Sequence, residues 1–94
     1  MEEIKNLLVE VVKAMVTNPD EVEVYVVEEK DERGDFTTMN VKVHSEDIGL
    51  CIGEGGKTAE AFRRVFGLIG HKQSKRLYVR IDAPKIPRSH FYNE

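Results

Sequence analysis

Asp47-Ile48-Gly49-Leu50-Cys51-Ile52-Gly53-Glu54-Gly55-Gly56-Lys57-Thr58 carries more structural information than any other part of this 94-residue chain. Its first half is short and apolar. Ile48, Cys51 and Ile52 share one side of a helix expected over 46–52, with Ser45 placed to cap it. The second half opens with the turn Gly53-Glu54-Gly55-Gly56, three glycines in four residues. Glycine lacks Cβ, so it accepts positive φ and lets a ligand approach the backbone, at an entropic cost that a plain connection does not require three times over. Beyond the turn, Ala59, Phe62, Phe66 and Ile69 recur at helical spacing, which predicts a helix over 57–69 with Gly67 and Gly70 in its closing turn. The first N–H groups of such a helix have no intrahelical acceptor and carry the positive end of its dipole, a geometry that suits a phosphate.

Working outward, Ile4, Leu7, Leu8, Val11, Val12 and Met15 predict an amphipathic helix over 3–16, ended by Asn18-Pro19-Asp20 because proline cannot continue the ladder. Glu21 to Glu29 reads as a strand, with Val22, Val24 and Val26 on one face and Tyr25 and Val27 on the other. Lys30 to Asp35 reads as a charged turn with Gly34 near its tip, and Phe36 to His44 as a second strand with Thr37, Met39, Val41 and Val43 on one face. After a basic loop from His71 to Arg76, Leu77, Val79 and Ile81 mark a third strand. Residues 1–82 make one domain, and 83–94, with Pro84 and Pro87, an irregular tail whose Phe91 and Tyr92 are candidates for pinning to the body. The order α-β-β-α-α-β predicts an α+β domain. The first two strands pair as an antiparallel hairpin, and the third follows a two-helix crossover that favours a parallel neighbour. The result is a three-stranded mixed sheet with three helices on one face.

Composition narrows the function. The net charge of −3 divides unevenly: residues 1–56 hold 5 Lys and Arg against 14 Asp and Glu, and residues 57–94 hold 9 against 3. A basic second half fits one polyanion-facing side, and two solvated faces of opposite sign fit as well. No apolar run approaches the roughly 20 residues of a membrane span. Glu2 and Glu3 replace the basic start of a secretory signal, and the single Cys51 favours a reducing cytosol. His44, His71 and His90 have no metal-ligand spacing with one another or with Cys51, and paired carboxylates such as Glu28 and Glu29 sit in charged stretches, so no enzyme, metal or cofactor is expected. Gly56-Lys57-Thr58 mimics the end of a phosphate-loop motif, but that motif needs a glycine where Cys51 stands and a strand where a helix is predicted. A dinucleotide fingerprint fails at Thr58.

The helix–Gly-x-x-Gly–helix arrangement resembles the KH domain, a clamp for the backbone of single-stranded RNA. With the element order it resembles the bacterial-type (type II) form, across roughly residues 3–82. Three stretches make the chain similar to the small single-KH proteins of the KhpA (YlqC-like) family: Asn18-Pro19-Asp20-Glu21-Val22, Asp47-Ile48-Gly49 with Ile52-Gly53-x-x-Gly56, and Leu77-Tyr78-Val79-Arg80-Ile81. The resemblance implies a cytoplasmic, non-catalytic RNA chaperone or regulator. It also implies pairing with a second copy or with a larger Jag-type KH protein. By the family pattern Gly53, Glu54, Gly55 and Gly56 form the clamp, and Ile48, Gly49 and Ile52 line one side of the groove. Lys57 and Thr58 open the following helix, while His71, Lys72, Lys75 and Arg76 occupy the variable loop on the other wall. Leu50 and Glu54 stand where the family often has basic residues. A carboxylate beside a phosphate path repels it, so weaker RNA binding, or a turn turned over to protein contact, is the alternative.

The plainer reading of each feature is specific. The glycines could serve a tight helix–helix connection, and Lys57 could be a solvated lysine. Arg63 and Arg64 lie three and four residues after Glu60, at ion-pair spacing. Cys51 reads as core rather than nucleophile. Tyr78 is a candidate base stacker, but a core or surface role fits it better.

Overall fold

A computed structural model describes residues 1–82; Phe91, Tyr92, His90 and the rest of the 83–94 tail lie outside the described residues. The elements run α1 (Glu2–Met15), β1 (Glu23–Asp31), β2 (Gly34–Lys42), α2 (Ile48–Ile52), α3 (Lys57–Lys72) and β3 (Leu77–Asp82). Short 3-10 turns at Pro19–Glu21, Ser45–Asp47 and Glu54–Gly56 join them. The sheet order is β1-β2-β3. β1 pairs antiparallel with β2 (Val24 opposite Val41), and β2 pairs parallel with β3 (Met39 opposite Val79). This is the α-β-β-α-α-β, three-stranded mixed-sheet arrangement of the type II KH fold, with three helices on one face.

Alternation decides which face the helices cover. Val24, Met39, Val41, Val43, Leu77 and Val79 are buried on one side, against Ile4, Leu8 and Val12 of α1 and Phe62 and Phe66 of α3. Leu8, Val12, Met39, Val41 and Cys51 are completely enclosed, and each fully buried aliphatic side chain contributes on the order of 2 kcal/mol by leaving water. Cys51 is therefore core, with its thiol pKa raised by burial.

Several boundaries differ from the periodicity-based reading. β1 starts two residues later than expected because Pro19-Asp20-Glu21 coils into a 3-10 turn. It runs on through Asp31, because the hairpin turn is only Glu32-Arg33 and Gly34, at φ 114°, is already the first residue of β2. β2 accordingly ends at Lys42 rather than His44. Ser45 does not cap the following turn. The His44 imidazole does, its Nδ1 accepting the Glu46 N–H at 3.0 Å. α3 passes through Gly67 and Gly70 to Lys72, so His71 and Lys72 are helical and the loop is only Gln73 to Arg76. Gly70 serves close packing: a Cβ there would stand 2.7 Å from Leu77 Cβ and 2.9 Å from the Lys75 carbonyl oxygen. The left-handed residue that closes the helix is Ser74, at φ 59°.

Asp47 ties the ends of the fold together. It is 1% exposed, and its carboxylate accepts four bonds from the segment after α1: the Thr17 hydroxyl (2.7 Å), the Thr17 N–H (3.1 Å), the Asn18 N–H (3.0 Å) and the Asn18 amide (3.1 Å). These bonds, led by the Thr17 hydroxyl, hold its pKa down to about 2 against the opposing effect of desolvation. A depressed carboxylate stabilises the fold fully above its unfolded pKa, and the contribution is lost as pH falls through the folded value. Acid unfolding should therefore have a component between about pH 4 and pH 2 that is missing in Asp47→Asn. Asp47→Ala, which leaves the Thr17 and Asn18 donors unpaired, should lower the melting temperature by roughly 10 °C. Circular dichroism melts across pH test both.

Candidate functional site

The Gly53–Gly56 turn is built by three backbone choices. The N–H of Gly53 closes α2 on the Gly49 carbonyl at 2.8 Å, and Gly53 then takes φ 78°, ψ 167°, a region essentially reserved for glycine. That ψ swings the next amide off the α2 ladder. Gly55 (φ 64°, ψ 17°) and Gly56 (φ 78°, ψ 13°) follow, both left-handed, and the Gly56 N–H returns to the Gly53 carbonyl at 3.0 Å. The N–H groups of Glu54 and Gly55 therefore lead a new helical run, where intrahelical acceptors do not exist. Behind them stands the 16-residue dipole of α3.

The three glycines do different jobs. A Cβ on Gly53 would lie 2.2 Å from Thr58 Oγ1 and 2.7 Å from the Thr58 backbone nitrogen, so Thr58 packs on the bare face of the turn and holds its shape. A Cβ on Gly55 or Gly56 would meet nothing within 4 Å. These two present open backbone to solvent, and Glu54, Gly55 and Lys57 are exposed. Lys57 makes no ion pair among the described residues. On α2, Gly49 also faces open space and Leu50 is exposed, while Ile48 and Ile52 are half-buried, with Ile48 packed on the core. Residues 48–58 thus form one continuous surface, apolar along α2 and bare-backboned at the turn.

The second group of expected residues lies elsewhere. α3 carries its last turn about 24 Å from the glycines, at 1.5 Å per residue over 16 residues. His71, Lys75 and Arg76 line a cleft of about 770 Å³ beside the hairpin tip, together with Lys30 and Arg33. Lys72 is exposed outside it. The hairpin cations were not singled out from sequence; only the strand pairing that brings the tip beside the loop reveals them. Glu28, Glu29 and Asp35 line the same cleft, so its charge is mixed. Arg76 is already engaged. It forks onto Asp31 at 2.6 and 3.1 Å, donates to the Gly34 carbonyl at 2.9 Å and lies 5.0 Å over the Phe36 ring. The guanidinium in turn lowers the Asp31 pKa. Arg76 thus locks the loop to the hairpin. On the outer face of α3, Arg64 pairs with Glu60 at 3.2 Å.

Among the described residues no group of His, Cys, Asp and Glu could hold a metal ion, and no helix is long and apolar enough to cross a membrane. The chain matches the family model "KhpA/KhpB, KH domain" over residues 5–81. It is 40% identical over 67 residues to RNA-binding protein KhpA of Streptomyces coelicolor, spanning 71% of this chain and 80% of that one. With the protein of the same name from Halalkalibacterium halodurans it shares 37% identity over 78 residues, 83% of this chain and 95% of the other. Its backbone is similar to part of a crystal structure of Aquifex aeolicus Era, with a TM-score of 0.59 and 12% identity over 90% of this chain and 31% of that one, a likeness of fold alone.

Proposed function

This chain belongs to the KhpA/KhpB family of KH domains, and from that premise we propose that it is a non-catalytic, cytoplasmic, single-stranded-RNA-binding chaperone or regulator. The observation that supports this most is the pair of left-handed glycines, exposed Gly55 and half-buried Gly56, which open onto α3 with nothing within 4 Å of where a Cβ would stand. The Glu54 and Gly55 amides would take the sugar-phosphate backbone, Lys57 would add a cation, and Ile48, Gly49 and Ile52 would receive bases. His71, Lys72 and Lys75 would meet a strand long enough to run the length of α3, with Arg76 holding their loop in place. Glu54 is the one carboxylate in the turn and opposes the bound phosphate. Glu54→Lys should therefore bind short single-stranded RNA about tenfold more tightly at low salt, with a salt dependence steeper by roughly 0.7 in log–log slope. Anisotropy titrations over a range of salt concentrations would check this; equal affinity and slope would remove the turn from the binding site.

A second surface supports self-association. Leu7, Val11 and Met15 of α1 and Phe62 and Val65 of α3 line an apolar groove of about 410 Å³, with Val65 53% and the neighbouring Leu68 70% exposed. α1 carries Glu2, Glu3 and Glu10 against Lys5 and Lys13, and α3 carries Lys57, Arg63, Arg64 and Lys72 against Glu60, so a two-fold pairing of these helices sets a slightly acidic helix beside a basic one. A Jag-type KH chain would use the same groove. The groove takes in Thr58 at the base of the turn, so pairing brings the partner close to the proposed RNA site. Light scattering should report a dimer for the chain and a monomer for Val65→Glu at the same concentration; a monomer in both overturns self-association through this groove.

A further inference from the structure

The face of the sheet that the helices leave uncovered has its own chemistry. The strand register sets Tyr25, Asn40 and Arg80 in one row across β1, β2 and β3, and Val27, Thr38 and Tyr78 in the next. Tyr25 is 47% and Tyr78 43% exposed. Tyr78 is held in place: it meets Phe36 edge-on at 5.5 Å and 85°, and Phe36 lies under the Arg76 guanidinium. Asn40 stands beside Tyr25, and Arg80 lies beyond it on β3, two residues after Tyr78; neither side chain makes a hydrogen bond or ion pair to another described residue.

We propose that this open face is a second binding surface for single-stranded nucleic acid, one that takes bases on Tyr78 and Tyr25 and reads their edges with Asn40 and Arg80. The proposal goes beyond the glycine turn and stands without it. The held ring of Tyr78 offers stacking at little entropic cost, Tyr25, whose hydroxyl donates to Glu23, offers a second ring, and an amide and a guanidinium fork are the groups that pair with base edges. A protein partner would want a charge-free centre, and here the centre is polar. Charge orients the ligand. β1 carries Glu23, Glu29 and the Arg76-paired Asp31 on this face, while Lys42 and Arg80 lie on β2 and β3, with Asp82 the single carboxylate at the end of β3. A phosphate chain therefore runs along the β3 side with its bases directed inward. Since α3 returns to β3 through the short loop 73–76, the glycine turn lies at the Asp82 end of the strand, and an RNA longer than the turn can hold passes this edge.

The test compares a 4-nucleotide and a 12-nucleotide RNA of mixed sequence. Tyr78→Ala/Arg80→Ala should bind the 12-mer roughly tenfold more weakly than the parent while leaving 4-mer affinity unchanged, and Tyr78→Phe should keep 12-mer affinity. A melt checks that the double variant is folded. In a turn-blocked variant, with Glu54 and Gly55 both replaced by aspartate, the 12-mer should still shift the Tyr25 and Tyr78 ring resonances. Unchanged 12-mer affinity in the double variant, or ring resonances that stay still while the 12-mer binds, overturns the proposal and leaves the turn reading intact. Rings that shift with protein concentration instead of RNA also overturn it, in favour of a self-contact. Ring shifts in the absence of any 4-mer binding would support this face and count against the turn.

Discussion

Replacing Glu54 and Gly55 together with aspartate is expected to weaken single-stranded RNA binding on the order of a hundredfold, with the fold left intact. The separation of the two effects comes from the geometry. Gly55 sits at φ 64° with nothing within 4 Å of where a Cβ would go, and aspartate is among the residues that tolerate the left-handed region. Glu54→Asp keeps its charge, so the one added carboxylate is at 55, in the path to the amides that would take the phosphate, and a like charge about 5 Å away opposes binding by roughly 3 kcal/mol before screening at the effective dielectric of a protein surface. Anisotropy with a short RNA, paired with a thermal melt, gives both readings. Retained affinity in a folded variant would mean that phosphate is held elsewhere.

Gly53→Ala is expected to do the opposite, damaging the fold first. At φ 78°, ψ 167° the backbone is strained by about 1–3 kcal/mol for any residue with a Cβ. The added methyl carbon would also stand 2.7 Å from the Thr58 backbone nitrogen, which cannot move without dragging the start of α3. Together these should lower the melting temperature by roughly 15 °C. Gly55→Ala, with open space around it, should cost only about 1–2 kcal/mol. A melt in which the two alanine variants are equally stable would show that the turn is not held as described.

Much of this was legible in the residues. The four long amphipathic elements, the hairpin, the parallel third strand and the glycine turn follow from periodicity and from glycine's freedom, because half-buried helices and strands must alternate to cover one core. Alternation grouped Val24 with Val26, and Met39 with Val41, on single faces of their strands, and Val24, Met39 and Val41 are buried. Other features depend on contacts distant in sequence. Asp47 looks like any surface carboxylate until Thr17 and Asn18 surround it, a contact across about thirty residues that joins two of the stretches carrying the family likeness. Lys30 and Asp31 read as turn because of their charge, although they extend a strand at the sheet edge where both faces meet water. Gly67 and Gly70 read as a helix stop, but Gly70 is required where α3 crosses Leu77. The site residues before and after the turn were grouped by motif alone, and motif spacing could not tell that α3 sets His71, Lys75 and Arg76 at its far end, or that Asp31 engages Arg76.

The most direct test follows backbone amides by nitrogen–proton correlation spectra while a 4-nucleotide single-stranded RNA is titrated. The glycine-turn account predicts that the largest shifts fall on Glu54, Gly55, Gly56, Lys57 and Thr58, with smaller ones along Ile48 to Ile52, and that added salt reverses them. Saturable binding that leaves residues 53–58 unmoved would contradict it.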